Sequence, residues 1–468
     1  MGIETLHPEY IKALPVVKMT RDAAKGDQAI KDGGVLYLPA DFYKDKQGAV
    51  TERYKVYKNR SYFLGATKQA EKSTIGMIFR KPPNTGDGLP SYLDSISDNI
   101  DGAGQSIEQV AKFGASEQEE AGRICFLADY PPIDVNLTRT EQAGARPYLV
   151  TYSFESVINW KTEVINGTIK LVLVVICESV SSDDNDEFTH DTEKQYRVLR
   201  LRDGIYTQEV VDDKGGVVVE EFAPLMAGSV PFNYIPFYIA GTENNLPSVD
   251  APLLSDLAIV NIAHYQTTAD HRENLHIHGQ LTLGISTELD NESFKAANPN
   301  GIQVGSRSGF YLGKGGSFQT ATAPESSSLR IALQDLEEQM ISVGAKLITK
   351  SGQAETAEAA RIKASGEVSA LDTMTNNLSD ALENVLEDML LFAGEADEVT
   401  YRLNTSFYED SLTSDIATAI TGLETAAIIA KKDARHMIRR GKIEFEGGRT
   451  DEEIDQDIAG QLSNVDDL

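Results

Sequence analysis

Cysteine is nearly absent: Cys125 and Cys177 are the only two in 468 residues. That excludes a disulfide framework and a four-cysteine zinc site, and the apolar flanks predict two buried, reduced thiols. Long apolar runs are missing too. The strongest, "IKLVLVVIC" at 169–177, falls well short of the roughly 18 residues of a membrane helix, and its β-branched content predicts a buried strand. The opening "MGIETLHPEY" has neither the basic region nor the apolar core of an export signal, and Leu6 stands where a myristoylation pattern needs Ser or Thr. Positive charge is scarce, with 43 Lys and Arg against 72 Asp and Glu and a net charge of −29. The total argues against tight binding to nucleic acid or to anionic membranes, and for a soluble, self-repelling surface.

What is present changes character along the chain. Length alone suggests two to four domains. From Glu52, apolar residues recur at three- and four-residue steps until Pro82-Pro83 ends the run, and the span 44–128 reads as mostly helical, with Asp98 and Ser106 as N-cap candidates. At Arg146 the pattern becomes strand-like. "RPYLVTYSFESVINWK", "TIKLVLVVICESV", "QYRVLRLRDGIYTQEVV" and "GVVVEEF" predict a mainly antiparallel sheet over 146–240, with a hairpin at Asn166-Gly167 and another turn at Lys214-Gly215-Gly216. "IPFYIAGTENNLPSVD" reads as a linker into a helix opening at 252. Residues 281–327 are Gly- and Ser-rich, with strand candidates "LTLGI" and "GFYLG". Two helices follow. One carries Leu329, Leu333, Leu336, Met340, Val343 and Leu347 as its apolar stripe. The other runs from about Glu355 to Phe392, about 57 Å long at the helical rise, with Ser365-Gly366 as a place to bend. "EVTYRLNTSF" is a strand candidate, and short helices are expected up to about 462.

No stretch completes a catalytic pattern. His264, His271, His276 and His278 crowd one stretch. His264 and His271 sit about 10.5 Å apart along a helix, too far to share one zinc. "HRENLH" lacks the spacing of a zinc-protease helix, whose two histidines stand four apart. "SDDNDEF" at 182–188 lacks the glycine and distal glutamate of a calcium loop. "GSRSG" at 305–309 is not a nucleophile elbow, and "LGKGGS" at 312–317 lacks phosphate-loop spacing. The basic run "KKDARHMIRRGK" at 431–442 reads as a solvated helix face. These residues predict no enzyme, no cofactor and no metal.

A resemblance carries further. "GGVLYLPADFY", "RYKVYKNRSYFLGAT", "GMIFRKPP", "NIDGAGQSIEQVAK", "AGRICFLADYPP", "RPYLVTYSFESVINWK", "QYRVLRLRDGIY" and "PLLSDLAIVNIAHYQTTADHRENL" occur in the order found in the portal proteins of tailed bacteriophages, in a branch described only as a family of unknown function. The likeness spans roughly residues 35–440, and its specificity lies in the ordered set. It implies an α+β portal fold. Residues 1–250 would form the wing (an N-terminal arm, the helical part 44–128 and the β part 146–240). Residues 251–280 would be the first stem helix, 281–327 a small clip and 328–348 the second stem helix. Residues 349–354 would be a tunnel loop, 355–394 a long wing helix and 395–468 the wing edge and a helical crown.

The resemblance implies a function as well: a homo-oligomeric ring of about twelve copies at one capsid vertex of the virion, assembled in the host cytoplasm. Double-stranded DNA would pass through its channel. Its partners would be the terminase large subunit, a head–tail adaptor or tail protein, and capsid and scaffolding proteins, with no membrane. The DNA-facing candidates are Lys346, Thr349, Lys350, Ser351, Gly352 and Gln353. The stem interface candidates are Tyr265, Asp270, His271 and Arg272, on a helix whose apolar stripe (Leu254, Leu257, Asn261, Tyr265) is expected only in its first half. Rival readings are another virion structural protein, such as a capsid or tail-tube subunit, and a metal-dependent hydrolase using His276 and His278 or the acidic loop.

Overall fold

The computed structural model describes residues 2–131, 145–181, 190–279, 282–299, 301–302, 309–321, 327–344, 357–405 and 407, with 431–432, 434–435 and 454 beyond them. The chain divides into Met1–Leu403 and Asn404–Leu468. In the second unit Phe407, Ala434, Arg435 and Ile454 are buried.

The N-terminal segment is helical. Helix α1 (Pro8–Lys25) starts with proline in its first turn, and the His7 ring accepts the Glu9 N–H. Gly26, at φ +98°, turns the chain into α2 (Asp27–Gly33). The long run expected from Glu52 is broken into α3 (Glu52–Arg60) and α4 (Ala66–Ile78). The break buries Phe63, whose N–H donates to Asp27 at 2.9 Å. Helices α5 (Ser91–Ile96) and α6 (Ile107–Ala121) follow. Ser106 and Gln109 cap α6 reciprocally, a Ser-x-x-Gln capping box.

Helix α6 ends at Gly122, whose φ is +81°. A Cβ there would stand 2.1 Å from the Asp250 carbonyl oxygen. Both the left-handed backbone and the contact demand glycine. Gly122→Ala should therefore lower stability by well over about 1 kcal/mol in chemical denaturation.

Two sheets carry the β content. In the first, β1 (Arg123–Asp129) lies between β2 (Tyr148–Tyr152) and β10 (Phe237–Gly241), antiparallel to both. Strand β10 lies in the span read as a linker, and the fully buried β1 shows no alternation to announce it. The second sheet is an antiparallel meander of β3 (Val157–Ile165), β4 (Thr168–Ser181), β5 (Thr192–Arg202), β6 (Ile205–Asp212) and β7 (Val217–Phe222). Asn166-Gly167 makes the expected hairpin, both residues at positive φ. Asp203-Gly204 makes a second one inside a run that had read as a single strand. A short pair, β8 (Leu225–Met226) and β9 (Val230–Pro231), follows.

Helix α7 (Ser255–His278) leads out to strand β11 (Thr282–Ser286), helix α8 (Asn291–Ala297) and strand β12 (Ser317–Ala321). Helix α9 (Ser327–Ser342) returns, and α10 (Ala357–Ala393) runs unbroken for 37 residues. Strand β11 pairs with β12, as expected for "LTLGI", but its partner is "SFQTA" and not "GFYLG". The backbone of Tyr311 is held instead by the Asn298 side-chain amide, at 2.8 and 2.9 Å. Leu371, Met374, Leu378, Leu382, Val385 and Met389 of α10 are buried at helical spacing, and α10 packs on β1 and β10. The strand expected in "EVTYRLNTSF" makes a single bridge, Arg402 to Asn84. Its Tyr401 and Leu403 N–H groups donate to Glu383 and Ser379 of α10 instead. The described architecture is mixed helix and antiparallel sheet, α+β.

Candidate subunit interface and channel segments

Helix α7 is the axis of the candidate interface. One face buries Ala258, Ile262, Tyr265 and Ala269 in a cluster with Ala23, Ile30, Tyr54, Tyr57 and Phe63. A second face places Leu254 and Leu257 against Ala66, Ala70 and Met340 of α9. Between these faces Asn261 is fully buried, its amide donating to Thr67 at 3.1 Å. The contact of Met340 with Leu254 and Leu257, and that of His264 with Glu337, set α9 antiparallel to α7.

The interface candidates divide once placed on this helix. Tyr265 has no exposed surface: it stacks edge-on to Phe63 and receives a 2.9 Å hydrogen bond from Ser61. It is a core residue and offers nothing to a second copy, which corrects the expectation. Its apolar neighbours recur past the midpoint of α7, so the buried stripe does not end with the first half. Asp270 is exposed and accepts the Tyr57 hydroxyl at 2.6 Å. Burial, with the Asp270 charge beside it, pushes the Tyr57 phenol up. Arg272 is exposed, donates to the Arg60 carbonyl at 3.2 Å and lies over the Tyr62 ring. Glu273 pairs with Arg60 at 2.8 Å and with Arg53 at 3.5 Å. The second half of α7 is therefore tied to α3 by polar contacts, where it had been expected to stand clear.

His264, His271 and His278 share one side of α7 at seven-residue spacing, the side that meets α9. His264 is buried, with Nε2 3.6 Å from Glu337. Burial lowers its pKa more than Glu337 raises it. His271 is half-buried, with an unpartnered Nδ1. Among the described residues no group of three or more His, Cys, Asp or Glu is placed to hold a metal ion. The acidic loop 182–189 and most of "GSRSG" lie outside the described residues, as do all six tunnel-loop candidates, Lys346, Thr349, Lys350, Ser351, Gly352 and Gln353. No described helix is long and apolar enough to cross a membrane.

Between α7 and α9 the described residues build almost no interior. Among the described side chains of 279–321 the only buried one is Asn298, a polar amide. Tyr311 is 60% exposed, Phe318 57%, and Ile302 is exposed as well. A two-stranded ladder with one short helix cannot hold its shape in water without covering such a surface. Helix α9 is similar. Its stripe residues Leu329, Leu333 and Leu336 are half-buried, Met340 is its only buried residue, and Ile331 and Val343 are exposed.

The family model that matches is a domain of unknown function (DUF4055), over residues 252–393. Those residues cover α7, the tip, α9 and α10. No curated protein matches the chain. Among solved structures, similar chains occur in the virion of a native gene transfer agent particle (13% identity, 82% of this chain and 92% of that chain, TM-score 0.43). Others come from the neck of the empty particle computed with C6 symmetry (14%, 82% and 92%, TM-score 0.40) and from the neck of the native particle computed with C12 symmetry (12%, 80% and 89%, TM-score 0.40).

Proposed function

We propose that this chain is a portal protein, a ring-forming structural subunit through which a phage genome passes. The observation that carries the reading is the arm made by the end of α7, the 279–321 tip and α9, which has almost no core of its own and exposes aromatic and aliphatic side chains. Such a surface is stable when neighbours cover it. The ordered segments that resemble portal proteins supply the identity of the assembly.

On this reading α7 and α9 are the two stem helices and the tip is the clip. The segment carrying Lys346 and Lys350 is the tunnel loop, touching phosphates only transiently. Residues 1–250 with α10 form the wing, and residues past 395 its edge and the crown. The net charge of −29 suits a conduit, because a surface that holds few counterion-releasing cations gives DNA little purchase. Terminase, then an adaptor or tail protein, would dock on the assembled ring.

Native mass spectrometry with electron microscopy of the purified chain tests this. Closed rings of about twelve copies with a central hole are expected. A chain that remains monomeric at high concentration overturns the reading, and shells or tubes would favour a capsid or tail-tube subunit.

A further inference from the structure

Charge is unevenly placed along this acidic chain. Residues 44–81 hold ten Lys and Arg against three Asp and Glu, a local net of +7, so the remainder carries −36. In sequence the excess follows directly on an exposed apolar knob. Phe42 is 97% exposed, and Val50, Val56 and Tyr62 are exposed near it in sequence. Lys44, Lys46, Arg53 and Lys55 are exposed in the same stretch. Tyr43 fixes the base of the knob, stacked on Tyr57 with Arg53 over its ring. An aromatic side chain held almost wholly in water beside cations is a recognition surface in want of an apolar, acidic partner.

The chain itself carries a surface of that kind. The outer side of α9, away from the Leu333, Leu336 and Met340 stripe, presents Ile331, Asp335 and Glu338 at helical spacing, all exposed. This acidic stripe and the basic knob lie on different sides of α7. The residues of α7 facing α3 (Ile262, Tyr265, Ala269) and those facing α9 (Leu257, His264) are separated by roughly a third of a turn. A patch and its complement on different sides of one subunit make a head-to-tail contact, which closes into a ring when the rotation fits.

We propose that the basic, aromatic face of one copy, centred on Phe42, Lys46 and Lys55, docks on the acidic outer stripe of α9 of the next copy, through Ile331, Asp335 and Glu338. The inference rests on the ring reading above and names the surfaces that join the ring. Duplex DNA is the weaker occupant, because a phosphate backbone buries no phenylalanine. Copies with a net charge of −29 repel one another, so matched patches of opposite sign set which faces meet.

Charge reversal tests it on the full-length chain. Lys46→Glu with Lys55→Glu, or Asp335→Lys with Glu338→Lys, should each weaken ring assembly more than tenfold by native mass spectrometry, with the circular dichroism of the unaltered chain retained. A one-to-one mixture of the two variants should restore rings of strictly alternating composition, because every contact then pairs opposite charges. Rings of the unaltered chain should also come apart as salt rises towards about 1 M, where screening is short-ranged. Rings that survive either double reversal, a mixture of folded variants that stays apart, or assembly indifferent to salt would each overturn the inference while leaving the ring reading intact. Reversals at Lys46 and Lys55 that spare the ring but abolish duplex binding in a gel shift would assign the patch to DNA and overturn it as well. An unaltered chain that forms no ring at all sinks the proposed function itself, and this inference with it.

Discussion

Arg21→Met should cost about 3–5 kcal/mol of stability in urea or guanidinium titration, the penalty for stripping the cation from a buried ion cluster. The Arg21 side chain of α1 is 12% exposed and meets three carboxylates. Its two terminal nitrogens take Glu117 at 2.6 and 2.7 Å, its Nε takes Glu155 at 2.6 Å, and one terminal nitrogen also reaches Glu120 at 3.0 Å. Burial alone would lower the guanidinium pKa, but hydrogen bonds and charge from Glu117 and Glu155 raise it overall. Glu117 and Glu120 lie on α6 and Glu155 in the turn before β3, so one side chain ties the first helix to the second sheet's edge. Methionine keeps the aliphatic stem and removes only the charge and its donors. A loss below about 1 kcal/mol, the range of exposed pairs, would show that the cluster contributes no more than a surface salt bridge.

The opposite sign is expected at Glu119. It is completely buried on α6, and neither carboxylate oxygen has a hydrogen-bond partner. The neighbouring Thr74 hydroxyl lowers its pKa a little, yet that proton is already given to the carbonyls of Ala70 and Glu71. Burial pushes the Glu119 carboxyl well above its usual range, helped by the charges of Glu71 and Glu120. Burial and Glu71 push Glu120 up to about 7, against the pull of Arg21. For these acids the folded state holds protons that the unfolded chain gives up above the ordinary glutamate pKa of 4.5. Stability is therefore fully present below about 4.5, and it falls as pH rises towards 7 and beyond. Glu119→Gln fixes the neutral form. The variant should match the unaltered chain near pH 4 and exceed it by about 1–3 kcal/mol at pH 8, with a flatter stability profile between them. A variant less stable than the unaltered chain at pH 8 would mean that the carboxylate finds a partner after all.

What could be read in the sequence follows a physical division. Local chemistry was legible. Asn166-Gly167 can scarcely do anything but turn, the meander's strands are rich in β-branched residues, and α10 repeats its apolar residues at helical spacing over its whole length. Asp203-Gly204 carries the same signal but was hidden, because "RLRDGIY" continues the strand-like texture on both sides. Strand β10 was taken for a linker because Pro236 and the polar residues after Gly241 bracket a very short apolar stretch. Contacts made across long sequence separations were not legible. The Arg21 cluster joins residues 96 to 134 positions apart, and Tyr265 meets Ser61 across 204. Tyr265 stands last in a fading stripe, and only its partners Ser61 and Phe63, in the break after α3, and the cluster around them show that it is core. The cationic face between 44 and 81 was missed for another reason. Its charges are spaced out among aromatics, so no window of it is as dense as the basic run at 431–442. Of the candidate site, helices α7 and α9 were legible as separate elements, while their pairing and the polar ties from α7 to α3 were not.

If copies join in a ring, the tip from 279 to 321, where one amide is the only buried side chain among those described, makes conformational order a collective property. On the ring reading, each copy would complete this part of its own folding only with others beside it, and the geometry of the tip would be decided during assembly. A partly built ring would then present loose, adhesive ends, and a closed one would present none. Closure would thereby be recorded in the shape of the tip, and a protein docking on that shape would distinguish finished rings from unfinished ones without counting subunits.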